Sequence, residues 1–394
     1  MKNSNRIAIT KYSCDGKEKE ILLYLDHHNH PIEFHSYDMS APSLVGNVYI
    51  ARVVQVMEQI HAAFLQAGDL KFYFPLEDIS NLIFTKKQGN PNRLCQGDEL
   101  VVQVVRDAIK SKEICVTGNV TLQGEHVIVT TGNRRHGVSG KLPGEMRKNL
   151  KGMLENYKNL PFGVVVRTSA GEVTTEDIAT EIQELMDVYH QFMSAVAHKT
   201  CGYLVRKAPH PFCEHIKRLY REGCCEFVSD QTVWIDATNE MGLSDMVVRS
   251  YMDSSYPMEK LYGVSKMIDD LRNKKVYLSS GGYLIIEHTE ALTVIDVNSG
   301  KNTKKMDKDT YFLANNREAA IEISKQLRLR NISGIIIIDF INMSQEAHQR
   351  EVLSLLRSSC KQDYVKVSVL DYTKLGLVEV TREKKFKSVS EQML

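Results

Sequence analysis

The sequence predicts an α/β protein, an α+β chain of several domains, and three observations carry that prediction. At 394 residues the chain exceeds one ordinary domain, so two to four units are expected. Its last hundred residues alternate strand with helix, as an α/β layer does. Between Gly46 and Thr117 lie about five short strand-like runs with Gly-containing turns, which predicts a small OB-type barrel.

Composition narrows the class. Hydrophobic residues make up 43% and charged residues 25%, values of a globular chain rather than a disordered one. A formal net charge of +1 rules out a general polycation, so any nucleic-acid contact must use local basic patches. Met1–Arg6 is polar and no apolar run reaches membrane-spanning length, so neither a signal peptide nor a membrane partner is expected. The eight cysteines are scattered without a C-x-x-C pair, which predicts reduced thiols and a cytoplasmic protein.

The elements follow in chain order. Residues 6–37 alternate apolar and polar about a hairpin turn at Asp26–Pro31, and His27, His28 and His30 are expected to be solvated there rather than to bind metal. Val48–Val56, Ala62–Leu65, Phe72–Leu76, Asp98–Val105 and Glu113–Thr117 are the predicted barrel strands. Within them Phe64, Phe72, Tyr73 and Phe74 are either core or base-stacking surfaces; alternation sends Tyr73 one way and its two neighbours the other. Val127–Thr131 is the next strand, followed by a glycine-bounded basic loop, Gly132–Gly140, that lacks the P-loop pattern. Gly163–Arg167 is a strand whose Arg167, beside Thr168, offers a phosphate contact opposite that loop, or is simply an exposed arginine. Thr174-x-x-Asp177 is a capping box opening a six-turn helix with Ile178, Ile182, Leu185, Tyr189, Phe192 and Val196 on its apolar stripe. Residues 201–275 hold no sharp motif, and the irregular spacing of His210–His215 speaks against a zinc site. Strands 283–287 and 291–297 precede a helix, Thr310–Arg330, striped by Phe312, Ala320, Ile323 and Leu327. Strand 335–339, a helix with Val352, Leu355, Leu356 and Ser359 on one side, and a closing strand, Tyr364–Leu370, complete the layer.

Two runs in that layer are the most informative. Thr293-Val294-Ile295-Asp296 and Ile335-Ile336-Ile337-Ile338-Asp339 both read as buried strands ending on an aspartate. Two carboxylates at one sheet edge want a cation, and oxygen-only ligation suits Mg²⁺ or Mn²⁺. The competing reading is two unrelated acids capping helices.

Longer motifs surround these residues: Glu290–Gly300, Glu318–Arg330 with its Gln326-Leu327-Arg328-Leu329-Arg330 ending, Ile338-Asp339-Phe340-Ile341-x-Met343, and Leu375–Arg382. Upstream stand Gly46-Asn47-Val48-Tyr49, Ala62-Ala63-Phe64-x-x-x-Gly68 and Val166-Arg167-Thr168. Together they resemble the ribonuclease E/ribonuclease G family of bacterial single-strand RNA endonucleases. The resemblance implies a split RNase H-like subdomain (1–38 and 201–276), an S1 RNA-binding domain (39–125), a 5′-sensor (126–200) and a DNase I-like catalytic subdomain (277–388). It implies Mg²⁺ on Asp296 and Asp339, and a scissile phosphate against Asn298. Phe64, Tyr73 and Lys112 match an RNA-binding surface, although Tyr73 stands where Phe is usual. Lys366 matches a basic position near the active site. Gly137, Val138, Arg167 and Thr168 match the cradle of a 5′-monophosphate.

The implied activity is Mg²⁺-dependent cleavage of single-stranded RNA to 5′-phosphate and 3′-hydroxyl ends, in RNA processing or decay. The rival is an S1-type RNA-binding protein with an inactive nuclease core, which intact Asp296, Asn298 and Asp339 argue against. One departure stands out. The family's C-P-x-C-x-G zinc link does not follow Arg382, and no cysteine follows Cys360. No zinc and no zinc-linked tetramer is therefore expected; a homodimer through another surface remains open.

Overall fold

The expected apolar–polar alternation over 6–37 does not hold at its core: Ile7-Ala8-Ile9 and Ile21-Leu22-Leu23-Tyr24-Leu25 are apolar on both sides of their strands, and the computed structural model buries both sides. It describes residues 5–14, 16–40, 42–76, 81–108, 113–300, 307–385 and 387–393. Two compact units emerge: Met1–Pro42 with His210–Leu394, and Ser43–Pro209. Among the described residues no helix is long and apolar enough to cross a membrane.

In the discontinuous unit, a five-stranded sheet runs in the order Val247–Ser250, Glu226–Ser229, Arg6–Cys14, Lys17–Leu25, Pro31–Asp38. The predicted hairpin turn is present. Asp26 accepts from the backbone N–H groups of His28 and His30, both at 2.8 Å, and Asn29 takes the left-handed conformation that such turns favour. All three histidines of the turn are exposed.

The same unit holds a six-stranded sheet in the order Lys275–Tyr277, Tyr283–His288, Leu292–Asn298, Gly334–Asp339, Val378–Arg382, Val367–Tyr372. Helices Lys308–Leu329 and Glu346–Cys360 supply its apolar cover. Ile295, Val297, Ile336, Ile338, Val378 and Val380 pack with Ala320, Ile323, Leu327, Val352 and Leu356 in one core. Two sequence expectations need correction. The second helix buries Val352, Leu353, Leu356 and Cys360, leaving Leu355 and Ser359 only half-buried, because its stripe lies one step off the predicted phase. And Val378–Arg382, a short alternating run not predicted as a strand, is inserted between the Asp339 strand and the predicted closing strand. Its Arg382 is fully buried because Asp363 (2.8 Å) and the side-chain oxygen of Asn331 (2.7 Å) satisfy the guanidinium.

In the other unit, Val48–Met57, Ala62–Ala67, Leu70–Pro75, Ile114–Thr117 and Glu99–Arg106 pair in sequence and close on themselves as a five-stranded barrel. A second sheet joins Thr121–Gln123, Val127–Thr130, Gly163–Val166 and Gly137–Val138. Helix Thr175–Ala197 packs on it through the six residues its periodicity predicts. Its capping box forms as read: the Thr174 hydroxyl accepts from the Asp177 N–H, and Asp177 accepts from the Thr174 N–H.

Candidate active site

Burial along Leu292–Asn298 alternates strictly, so Thr293, Ile295 and Val297 enter the helix-covered core while Asp296 and Asn298 take the opposite, open face. Along Gly334–Asp339, Ile336 and Ile338 do the same and Asp339 stays exposed. The two strands are parallel neighbours, and Asp296 is registered directly across from Asp339. Both carboxylates therefore leave one face from backbones about 4.8 Å apart. The expectation of two strand-ending acids needs adjusting: Asp339 ends its strand, but the Asp296 strand continues to Asn298. Nor are the runs buried on both faces, since the helices that form the shared core lie on one. Neither aspartate caps a helix; the following helices begin at N-cap positions Asp307, whose side chain accepts from the Thr310 N–H, and Gln345. Asn298 donates its amide N–H to Asp296 Oδ2 at 2.7 Å. With Ser299, Phe312 and Asn342, these three residues line an open cleft of about 410 Å³.

Helix Lys308–Leu329 fixes the loops that shape this cleft. Asn316, fully buried, donates to the carbonyl of Ile341 at 2.8 Å and accepts from its N–H at 3.1 Å, pinning the chain just after Asp339. Asn315 bonds the carbonyl of Tyr311 (2.9 Å) and takes the Ser280 hydroxyl (3.0 Å). The Tyr311 hydroxyl donates to the carbonyl of Gly300. Glu318 accepts from the backbone N–H groups of Ser280, at 2.9 Å, and Ser279. Burial raises that carboxyl's pKa, but these bonds outweigh burial and hold it below its ordinary range. The turn at Ser280–Gly282 meets the exit of the Asp296 strand so closely that a side chain at Gly300 would overlap the carbonyl of Gly281. These anchors escaped the sequence reading, because a buried asparagine on a helix has no periodic signature; only the polar break in an otherwise apolar stripe marks it.

The donor set fits a hard cation. Asp296 and Asp339 present carboxylates side by side, Asn298 adds an amide, and among the described residues no sulfur or imidazole lines the cleft. Two adjacent carboxylates repel unless a positive charge lies between them. Among the described residues, one group of three His, Cys, Asp or Glu side chains gathers closely enough to hold a metal: Glu33, His35 and His215. Glu33 there is engaged by Arg218 at 2.6 Å and by His35 at 3.0 Å, a buried ion-pair network. The His210–His215 run thus supplies one member of that network, while His210 caps helix Pro211–Arg221.

Other predicted site residues fall as follows. Phe64 and Tyr73 are half-buried cross-strand partners with ring centroids 6.1 Å apart, while Phe72 and Phe74 lie inside the barrel. Lys112 lies outside the described residues. Gly137 and Val138 pair in parallel with Val165 and Val166, and Ser139 Oγ lies 2.8 Å from Thr168 Oγ1, so loop and strand end meet. The exposed Arg167 donates to the carbonyls of Gly124 (3.3 Å) and Glu125 (3.4 Å). Lys366 is not beside the aspartates. It immediately precedes Val367, which aligns through Arg382 with Gly334, at the opposite end of the strand from Asp339. At about 3.3 Å per residue, Gly334 lies roughly 17 Å along the strand from Asp339, and Lys366 one residue further.

The family model described as the ribonuclease E/G family matches residues 121–385. Ribonuclease G of Salmonella typhimurium (strain SL1344) is 31% identical over 393 residues, covering 91% of this chain and 76% of that protein. Ribonuclease G of Escherichia coli (strain K12) is 30% identical with the same coverage. Ribonuclease E of Haemophilus influenzae is 29% identical over 359 residues, 88% of this chain and 38% of its own length. The chain belongs to the ribonuclease E/G family.

Proposed function

We propose that the protein is an endoribonuclease of RNA processing or decay that cuts single-stranded RNA in a Mg²⁺-dependent hydrolysis, leaving 5′-phosphate and 3′-hydroxyl ends. The observation that carries the reading is the registered pair Asp296 and Asp339, with Asn298 bonded to the first, in a family of ribonucleases. Asp296 and Asp339 would hold the divalent ion. When bound, such an ion supplies Lewis-acid stabilisation of developing phosphoryl charge and activation of water. The protein's own part is positional. Asn298 fixes Asp296 and contacts the scissile phosphate, and the anchored loops after Asp339 and around Gly300 keep the cleft shaped for one bound phosphodiester.

By the same reading the six-stranded sheet is the DNase I-like subdomain, the five-stranded sheet belongs to the RNase H-like subdomain, and the barrel is the S1 domain. Phe64 and Tyr73 on the barrel, and Lys112, are RNA contacts. Gly137, Val138, Arg167 and Thr168 form a 5′-monophosphate sensor. The proximity of loop 137–139 to Thr168 supports the sensor, although Arg167 would have to leave its carbonyl partners to reach a phosphate. The experiment is cleavage of a 5′-monophosphorylated, A/U-rich oligonucleotide with and without Mg²⁺. Metal-dependent products bearing 5′-phosphates are expected; an intact oligonucleotide that the protein nonetheless binds would mark a binding module instead.

A further inference from the structure

The open face of the six-stranded sheet carries more than the acidic site. Its registers form continuous rows across the strands. One row runs Lys275, Ile285, Asp296, Asp339; the next runs Tyr277, Tyr283, Asn298. Residues in register share a face, so both tyrosines and the lysine stand beside the aspartates and Asn298. Tyr277 is 72% exposed and Tyr283 half-buried. Their ring centroids are 6.4 Å apart with planes inclined by 59°. The Lys275 ammonium sits 3.8 Å from the Tyr283 ring and 4.8 Å from the Tyr277 ring. The cation–π contacts hold the ammonium against both rings.

Packing does not explain this arrangement. The core helices cover the other face, and a ring that is 72% exposed contributes little burial. The chemistry is instead that of single-strand recognition: aromatic faces for bases, with a cation for the backbone. Tyr283 is one strand from Asn298 and Tyr277 two, about 5 and about 10 Å at the backbone, within reach of a neighbouring nucleotide.

We propose that Tyr277 and Tyr283, with Lys275 against them, form a stacking platform for a nucleobase flanking the phosphodiester bound at Asp296, Asn298 and Asp339. This rests on the endoribonuclease reading. The platform selects for an unpaired base, since a base inside a duplex offers no free face, and so it makes the sheet itself a determinant of single-strand preference.

The test compares wild type, Tyr277→Ala and Tyr277→Phe on a single-stranded oligonucleotide and on a series with one abasic residue stepped along both sides of the cut. Tyr277→Ala should lower kcat/KM about tenfold on the intact strand, while Tyr277→Phe restores it. One abasic position should cost wild type about as much, and Tyr277→Ala should lose nothing further there. Equal rates for wild type and Tyr277→Ala on the intact strand would overturn the platform, as would a loss that is the same at every abasic position. Failure of wild type to cleave any strand would instead remove the endoribonuclease reading, and the platform with it.

Discussion

Asn298 holds one oxygen of Asp296 at 2.7 Å, and the registered Asp339 stands across from it. Asn298→Ala removes that tether and the donor proposed for a bound phosphate. We expect cleavage to fall about 10²- to 10³-fold with unchanged far-ultraviolet circular dichroism, by analogy with loss of one transition-state donor; single-turnover rates check it. A second residue-scale prediction concerns pH. Burial pushes His215 well below an ordinary imidazole, and the charges of His35, Arg218 and His210 add to the effect. The unfolded chain therefore takes up a proton near 6.5 that the native state refuses. Stability should be level above that pH and fall below it, by up to about 1.4 kcal/mol per pH unit. Burial raises the Glu33 pKa, but its bond to His35 and the charge of Arg218 outweigh burial and depress it below 4.5, so its contribution is present above that value and lost as pH falls through the lower native one. Melting temperatures from pH 8 to 4 should show the first loss begin near 6.5, and His215→Leu should flatten that limb.

At the scale of elements, helix Lys308–Leu329 both covers the core and pins the site. Asn316→Ala leaves the N–H and carbonyl of half-buried Ile341 without their side-chain partner, at a cost of about 1 kcal/mol. Urea denaturation should show a lower midpoint, and cleavage should weaken as the segment after Asp339 loosens. The same helix shows what was legible in the sequence. Ala320, Ile323 and Leu327 followed from periodicity alone, as did all six buried positions of helix Thr175–Ala197, because long stripes average out local exceptions; Phe312, read as part of the first stripe, is instead half-buried at the cleft, where Tyr311 and Leu313 take the core positions. The shorter helix Glu346–Cys360 followed only at Val352 and Leu356, since over four turns one polar position shifts the apparent phase. Val378–Arg382 was missed as a strand because five alternating residues carry little signal and its buried Arg382 reads as a surface charge. Asp296 and Asp339 were legible as a pair, but their common open face was not: that depends on which strand face the helices cover, a property of tertiary packing.

Across the whole chain, a net charge of +1 hides local specialisation, so each unit must be tested for its own part. In the unit Ser43–Pro209, the proposed 5′ sensor predicts a substrate preference rather than a requirement. Arg167→Ala should cleave 5′-monophosphorylated and 5′-hydroxyl strands at the same rate, whereas wild type should favour the former; competition between the two substrates in one tube reads the ratio directly.

The central claim is that Asp296 and Asp339 act together on a phosphodiester, and single-turnover cleavage by Asp296→Asn and Asp339→Asn tests it most directly, with RNA affinity followed by fluorescence anisotropy on the same samples. Each substitution keeps the shape and removes one charge. We predict that either variant loses about a thousandfold or more in rate while binding RNA as wild type does. Near-normal cleavage by either variant would contradict the account.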